Sequence, residues 1–450
     1  MTRLGRRWRR AWLTAGHVAA VAGVLWSAQS SAQDWPQYRG PQGSGSVAAA
    51  GLLASWGEDQ PEVVWRRAIG SGYSAVAAVG DRLVTMATVA PEPATPDPSG
   101  SVESDSVDSN SGLEEAVVCL DRATGETLWQ VTIDHPSPLT LADPGPRSTP
   151  TIVGDRVYAI SSRARLVALT LDEGRLLWSR ELQGWGRVPR FGYSTSPLVD
   201  GDQVIVEVGR PRQEPGAVAF DRRSGEVRWT ALWGGSGYST PIAIELDGVR
   251  QYVFFKRIGV QALSTEGELL WRHDTGQVGG VVRPLFLPPD RIFVAASDDS
   301  FGGLMIRVQR KGDGFETKAL WKAEWMRNHF NTSVAVDGFV YGFDNATLRC
   351  LDGATGERRW AKRGFGKGSL VAAGDLLFVL SDVGELALVQ ADPTGYRELG
   401  RKRAMEGRAW TEPSLADGRL YLRDGDELVS LDVRGDAAQP SEPVTAEGAP

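Results

Sequence analysis

The 450-residue sequence predicts an all-β fold, an eight-bladed β-propeller of four-stranded antiparallel blades. Three observations predict it. A strand–turn–strand signature ending in tryptophan recurs along the chain, a second hairpin signature lies upstream of each copy, and the two chain ends carry complementary half-units.

The clearest copy runs Leu166-Val167-Ala168-Leu169, then Asp172-Glu173-Gly174, then Leu176-Leu177-Trp178. It recurs as Cys119-Leu120-Asp121 with Thr124-Gly125-Glu126 and Trp129, and as Ala219-Phe220-Asp221 with Ser224-Gly225-Glu226 and Trp229. Further copies end at Trp271 and Trp360, with looser ones at Trp321 and around Gly395. Asp opens each turn and Gly supplies the positive φ that the tight reversal needs. Upstream hairpins read Ile152-Val153-Gly154-Asp155-Arg156-Val157 and Val199-Asp200-Gly201-Asp202-Gln203-Val204, with equivalents at Asp337-Gly338 and Asp417-Gly418. Two hairpins make four short strands per unit. Eight units then begin near Ser74, Thr149, Thr195, Thr240, Pro284, Thr332, Ser369 and Thr411.

The last unit stops near Val433 without its tryptophan-ending strand. Pro61-Glu62-Val63-Val64-Trp65 is such a strand with no unit before it. Pairing the two completes the last blade with an N-terminal strand and closes the ring, leaving no open terminal edge.

Three segments fall outside the single propeller domain, which spans 33–434. Residues 1–32 carry five arginines, then an apolar stretch and a small residue at Ala32, the pattern of a cleaved signal peptide. Residues 88–112 include the run from Pro91 to Gly112, a disordered acidic loop insertion, and the Ala-, Pro- and Glu-rich tail 435–450 is read as disordered. Removing five arginines and no acidic residue takes the formal charge from −7 to −12, which argues against nucleic-acid binding. No later stretch is long and apolar enough to span a bilayer. The expected product is a monomer, periplasmic or secreted. Cys119 and Cys350 fall at the same repeat position, where other copies hold Ala or Ser, so both are expected as small buried side chains and not as a disulfide.

The Ala-Leu-Asp-like strand, Thr-Gly-Glu and Trp together resemble the pyrroloquinoline-quinone (PQQ)-like propeller repeat, and Asp34-Trp35-Pro36-Gln37-Tyr38-Arg39-Gly40-Pro41 is similar to the start of a bacterial subfamily of such proteins. The resemblance implies that the repeat tryptophans form a girdle between blades. It also implies either a quinone-dependent dehydrogenase, with PQQ, Ca²⁺ and an acidic base over the central axis, or a non-catalytic relative. The adjacent cysteines that cover the cofactor in several such enzymes are absent, as is a haem-attachment Cys-x-x-Cys-His. No alternating Asp/Asn calcium loop or zinc spacing appears, so no catalytic or metal residue is assigned.

Segments preceding the innermost strands are expected to line the mouth of the central funnel. They bring together Arg147, Arg190, Arg283 and Lys367 with Tyr193, Tyr238, Trp410, Asn331 and Glu412. Guanidinium groups pair with carboxylates in bidentate fashion, and flat aromatic faces suit a planar ligand. The reading is a binding scaffold for a protein partner or a small anionic ligand. The alternative is a PQQ-dependent alcohol or sugar dehydrogenase, for which Glu412 or Asp143 is the available base.

Overall fold

The computed structural model describes residues 33–48, 51–57, 59–91, 112–137, 145–209, 215–232, 237–276, 278, 280–297 and 301–435. The expected signal segment, Asp143, most of the acidic insertion and nearly all of the tail lie outside them.

Eight antiparallel sheets follow one another along the chain, each of four consecutive strands apart from the contributions of the N-terminal segment. Their innermost strands start at Ala77, Thr151, Leu198, Ile242, Leu285, Val334, Ser369 and Ser414, within a few residues of the expected positions. These are numbered blades 1 to 8. The N-terminal strand Glu62–Ala68 completes blade 8 by pairing antiparallel with Glu427–Asp432, Val63 opposite Leu431 and Trp65 opposite Ser430. In blade 1 the second strand runs Arg82–Val89, so Thr88 and Val89, at the start of the expected insertion, pair with Glu115 and Glu114.

The repeat residues join neighbouring blades. In blade 1 the Asp121 carboxylate accepts from the backbone N–H groups of Ala123 and Thr124, both at 2.9 Å, which fixes the turn. Gly125 follows at φ +71°, and a Cβ there would fall 2.6 Å from the ring of Trp65 in blade 8. The Trp65 indole donates to the carbonyl of Arg122 in blade 1 at 3.2 Å. Trp129 donates in the same way to Leu171 of blade 2, and Trp178 to Arg222 of blade 3. Each such tryptophan therefore buries its face on the next blade while satisfying its single N–H. Cys119 and Cys350 stand opposite Trp129 and Trp360 in the ladders, buried and unbridged. Burial pushes both thiols up to about 12.

The N-terminal segment does more than close the ring. Trp35 pairs with Ala78 of blade 1, and Ile152 of blade 2 donates to the Pro36 carbonyl at 2.8 Å. Ser46–Val47 then adds a parallel strand to Ala372 and Ala373 of blade 7. Between those anchors the chain crosses the axis of the ring and places Tyr38 and Arg39 in the central channel.

Candidate functional site

A cavity of about 240 Å³ opens above this crossing. Its walls come from the residues that precede the innermost strands: Tyr73 for blade 1, Arg147 and Thr149 for blade 2, Phe191 and Ser194 for blade 3, and Tyr238 and Thr240 for blade 4. Arg283, Asn331 and Trp410 to Glu412 continue the ring, and Tyr38 contributes from the crossing segment. Short inner strands that all start at one face turn these single residues from seven blades towards one axis.

Six of the nine residues singled out from the sequence line this cavity: Arg147, Tyr238, Arg283, Asn331, Trp410 and Glu412. Arg190 and Lys367 do not. The exposed Arg190 lies over the Phe191 ring at 5.2 Å, and the Lys367 ammonium lies 6.0 Å from the Phe330 ring. Tyr193 is placed elsewhere altogether, 2% exposed in the core formed by blades 2 and 3. Phe191 takes the cavity position, and Gly192 at φ +78° turns the chain so that Tyr193 enters the core. Tyr38, Phe191 and Phe330 were not singled out from the sequence. Of these only Tyr38 carried a signal, in the Trp-Pro-Gln-Tyr-Arg-Gly opening.

The aromatic rings form two clusters on the wall. Trp410 lies 4.8 Å from Phe330 and 5.9 Å from Tyr73, while Phe191 lies 6.2 Å from Tyr238. Arg147 sits over Tyr73 at 5.7 Å. His329 meets Phe330 edge-on at 4.4 Å, and burial, followed by the Lys367 charge, holds its imidazole below the ordinary value.

The floor is built from buried charge. Arg283 is 3% exposed and donates to the Tyr38 carbonyl at 2.7 Å, so it is a floor residue and not a solvated rim cation. Burial brings its guanidinium down to about 10 and pushes the Tyr38 phenol well above its usual range. Glu412 accepts from Arg39 at 2.6 Å and from the Thr332 N–H at 2.6 Å. Arg39 also donates to the carbonyls of Thr332, Ser333 and Ser44 at 3.1, 2.9 and 3.0 Å. Gly43 and Gly45 let the segment pass, because a Cβ on either would fall within 2.5 Å of the Arg283 or Arg39 guanidinium.

A ring of eight four-stranded blades, with an Asp/Gly turn recurring before the outer strand and nearly every outer strand carrying a tryptophan, defines a PQQ-like β-propeller. A family model described as outer membrane protein assembly factor BamB matches residues 113–362 and 344–437, and the chain belongs to that family. Outer membrane protein assembly factor BamB of Shewanella oneidensis is 24% identical over 215 residues, covering 40% of this chain and 48% of that protein. The chain thus spans about half the length of that curated relative. Among solved structures, BamB from Moraxella catarrhalis superposes with TM-score 0.59 at 16% identity, over 84% of this chain and 99% of that one. Quinohemoprotein alcohol dehydrogenase from Comamonas testosteroni gives TM-score 0.63 at 12% identity, over 91% and 82%. At these identities the two structures establish the fold alone.

The donor set at the funnel does not fit the calcium ion that accompanies a quinone cofactor. Ca²⁺ takes six to eight oxygens, several of them carboxylate. Among the described lining residues Glu412 is the single carboxylate, and its two oxygens already face Arg39 and the Thr332 N–H. The described residues also contain no group of three acidic, histidine or cysteine side chains arranged for a metal.

Proposed function

We propose that this protein is a non-catalytic binding scaffold of the bacterial cell envelope, exported and monomeric, whose funnel accepts a flat, carboxylated ligand. The observation that carries the reading is the state of Glu412. A general base needs an available lone pair directed at substrate. Glu412 is 6% exposed, and its carboxylate is neutralised by Arg39. What the cavity offers instead is recognition: aromatic faces for a planar body, and Arg147 for an anionic substituent. The family's description as an assembly factor supports a scaffold that acts by binding, with a protein partner engaging the rest of the surface.

Calorimetric titration with pyrroloquinoline quinone, as a flat tricarboxylate probe, tests the reading. Binding is expected with and without calcium, weakened at least about tenfold in Arg147→Ala, since a hydrogen bond to a charged group contributes roughly 1.5–3 kcal/mol. Binding that requires calcium would overturn the non-catalytic reading in favour of a quinone-dependent dehydrogenase. An absence of heat and of thermal stabilisation would remove the funnel ligand and leave protein binding alone.

A further inference from the structure

The outer rim of the ring divides by chemistry. The outer strands Arg358–Arg363, Arg397–Arg403 and Glu62–Ala68, of blades 6, 7 and 8, together carry ten basic and two acidic residues. The outer strands of blades 1 to 5 carry five basic and three acidic residues over a greater length. The whole chain has a formal charge of −7, so the excess on three consecutive blades is local. Charge on an open edge guards against unwanted strand pairing, a need that every blade shares. Yet two residues before the repeat tryptophan, blades 2, 3 and 4 expose Leu176, Val227 and Leu269 at 49, 47 and 57%, where blade 6 has Arg358. Edge protection therefore does not account for the basic arc.

Blade 6 is its centre. Arg358, Arg359, Lys362 and Arg363 are all exposed, and their strand holds no acidic residue. Arg359 lies 3.6 Å from Asp352, while Arg358, Lys362, Arg363 and the exposed Arg397 of blade 7 form no ion pair among the described residues. Three of these side chains lie over half-buried rings: Arg358 over Trp325 at 4.9 Å, Arg359 over Phe339 at 5.4 Å and Lys362 over Tyr396 at 5.0 Å. Such stacking holds long cationic side chains in place and lowers the entropy lost when a partner engages them.

We propose that this arc, centred on the outer strand of blade 6, is the docking surface for an extended acidic segment of a partner polypeptide. The assignment rests on the scaffold reading above, to whose protein partner it gives a place and a chemistry. Eight blades share the ring, so successive outer strands turn by about 45°. A flat bilayer meets one of the three strands at a time, whereas a flexible chain follows all of them. The outer strand of blade 6 also ends its sheet, with no strand paired on its outer side among the described residues. Its unpaired N–H and C=O groups can continue the ladder with a polypeptide while its guanidinium forks take the carboxylates. A polysaccharide offers no such backbone. Opposite charge steers the encounter and makes the contact sensitive to salt.

Fluorescence anisotropy of the full chain with a short labelled poly-L-glutamate, at low and at high salt, tests it. Labelled polygalacturonate and vesicles of phosphatidylglycerol and phosphatidylcholine serve as the competing polyanions. Poly-L-glutamate should bind most tightly of the three, and added salt should weaken it. Its affinity should fall at least about tenfold in the variant Arg358→Glu, Lys362→Glu, Arg363→Glu. The matched reversals Arg228→Glu, Arg272→Glu and Lys318→Glu, at exposed sites on blades 3, 4 and 5, should change it far less. No binding of poly-L-glutamate at low salt, or an equal loss in both variants, would overturn the proposal. So would tighter binding of polygalacturonate or vesicles through the same residues. Arg147→Ala separates the arc from the funnel: it should weaken pyrroloquinoline quinone and leave poly-L-glutamate unchanged, and a loss of both overturns the arc assignment. The blade 6 variant should in turn bind the quinone as the parent does, so failure of the funnel ligand leaves the arc result standing. Should the three reversals lower the Tm, Arg358→Gln with Arg363→Gln decides, and unchanged affinity there overturns the proposal.

Discussion

Trp56 lies against Gly400, in the place that a tryptophan of the outer strand fills in each of the other seven blades. Gly400 stands opposite Leu388 in blade 7, at the ladder position where Trp360 stands opposite Cys350 in blade 6. A Cβ on Gly400 would fall 2.4 Å from the Trp56 ring. Trp56 also sits 6.0 Å from Phe378, as Trp360 sits 5.9 Å from Tyr341 and Trp178 sits 6.0 Å from Tyr158. Blade 7 thus borrows its girdle residue from the N-terminal segment. Trp56→Ala should destabilise the fold by about 3–5 kcal/mol, the range for emptying a buried tryptophan site. A lower urea midpoint with an unchanged m-value is the expected result.

Blades 3 and 4 are joined by a fully buried ion pair. Lys256 donates to Glu207 at 2.9 Å and to the Gly216 carbonyl at 2.9 Å, and both side chains have no exposure. Removing one partner leaves a buried charge without compensation. Lys256→Met should therefore cost about 3–5 kcal/mol, whereas the double change with Glu207→Leu should recover most of it. A double-mutant cycle on urea unfolding measures the coupling, and additive single effects would contradict it.

The ring was legible in the sequence because each blade repeats a local chemistry: Asp for the turn, Gly for positive φ, Trp for the neighbour. Blade 7 was legible only as a looser copy around Gly395, because Gly400 stands where the tryptophan is expected and the ring that fills the place, Trp56, lies far away in the sequence. The same holds at the funnel. Residues that precede inner strands, such as Arg147 and Trp410, could be placed by counting along the repeat. Tyr38 and Arg39 belong to no repeat, and their location depends on where the crossing segment is anchored, at Ala78 and at Ala372. Tyr193 misled for a different reason. It shares a Gly-Tyr-Ser triplet with Tyr73 and Tyr238, yet Phe191, two residues before it, takes the cavity position.

Glu115 gives the fold a pH dependence near neutrality. It is fully buried in blade 1 and accepts from the Ser162 N–H at 2.8 Å and the Ser162 hydroxyl. Burial dominates and raises its pKa from 4.5 to about 7, opposed by the Ser162 hydrogen bonds and Arg147 and aided by Asp134. The folded protein therefore holds this proton more tightly than the unfolded chain. The stabilisation is fully present below pH 4.5 and is lost as pH rises through 7. Glu115→Gln should flatten this slope, leaving the variant more stable than the parent at pH 8 by on the order of 2–3 kcal/mol and without that advantage at pH 5. Urea unfolding at the two pH values reads the difference.

His329 should make anion binding in the funnel pH-dependent. Burial, with the Lys367 charge second, lowers its pKa, so the ring is neutral at pH 7 while no ligand is present. It lines the same cavity as Arg147, Arg283 and the ion-paired Glu412. A carboxylate entering beside it favours the imidazolium and draws a proton into the complex. Affinity for a carboxylated probe should then rise as pH falls from about 7.5 to 5.5, by about tenfold for each unit that the ligand raises the imidazole pKa. Calorimetry in buffers of different ionisation enthalpy should register proton uptake on binding. His329→Gln should abolish both the uptake and the pH dependence while leaving the affinity at pH 8 nearly unchanged. Uptake that persists in the variant would assign the proton to another group.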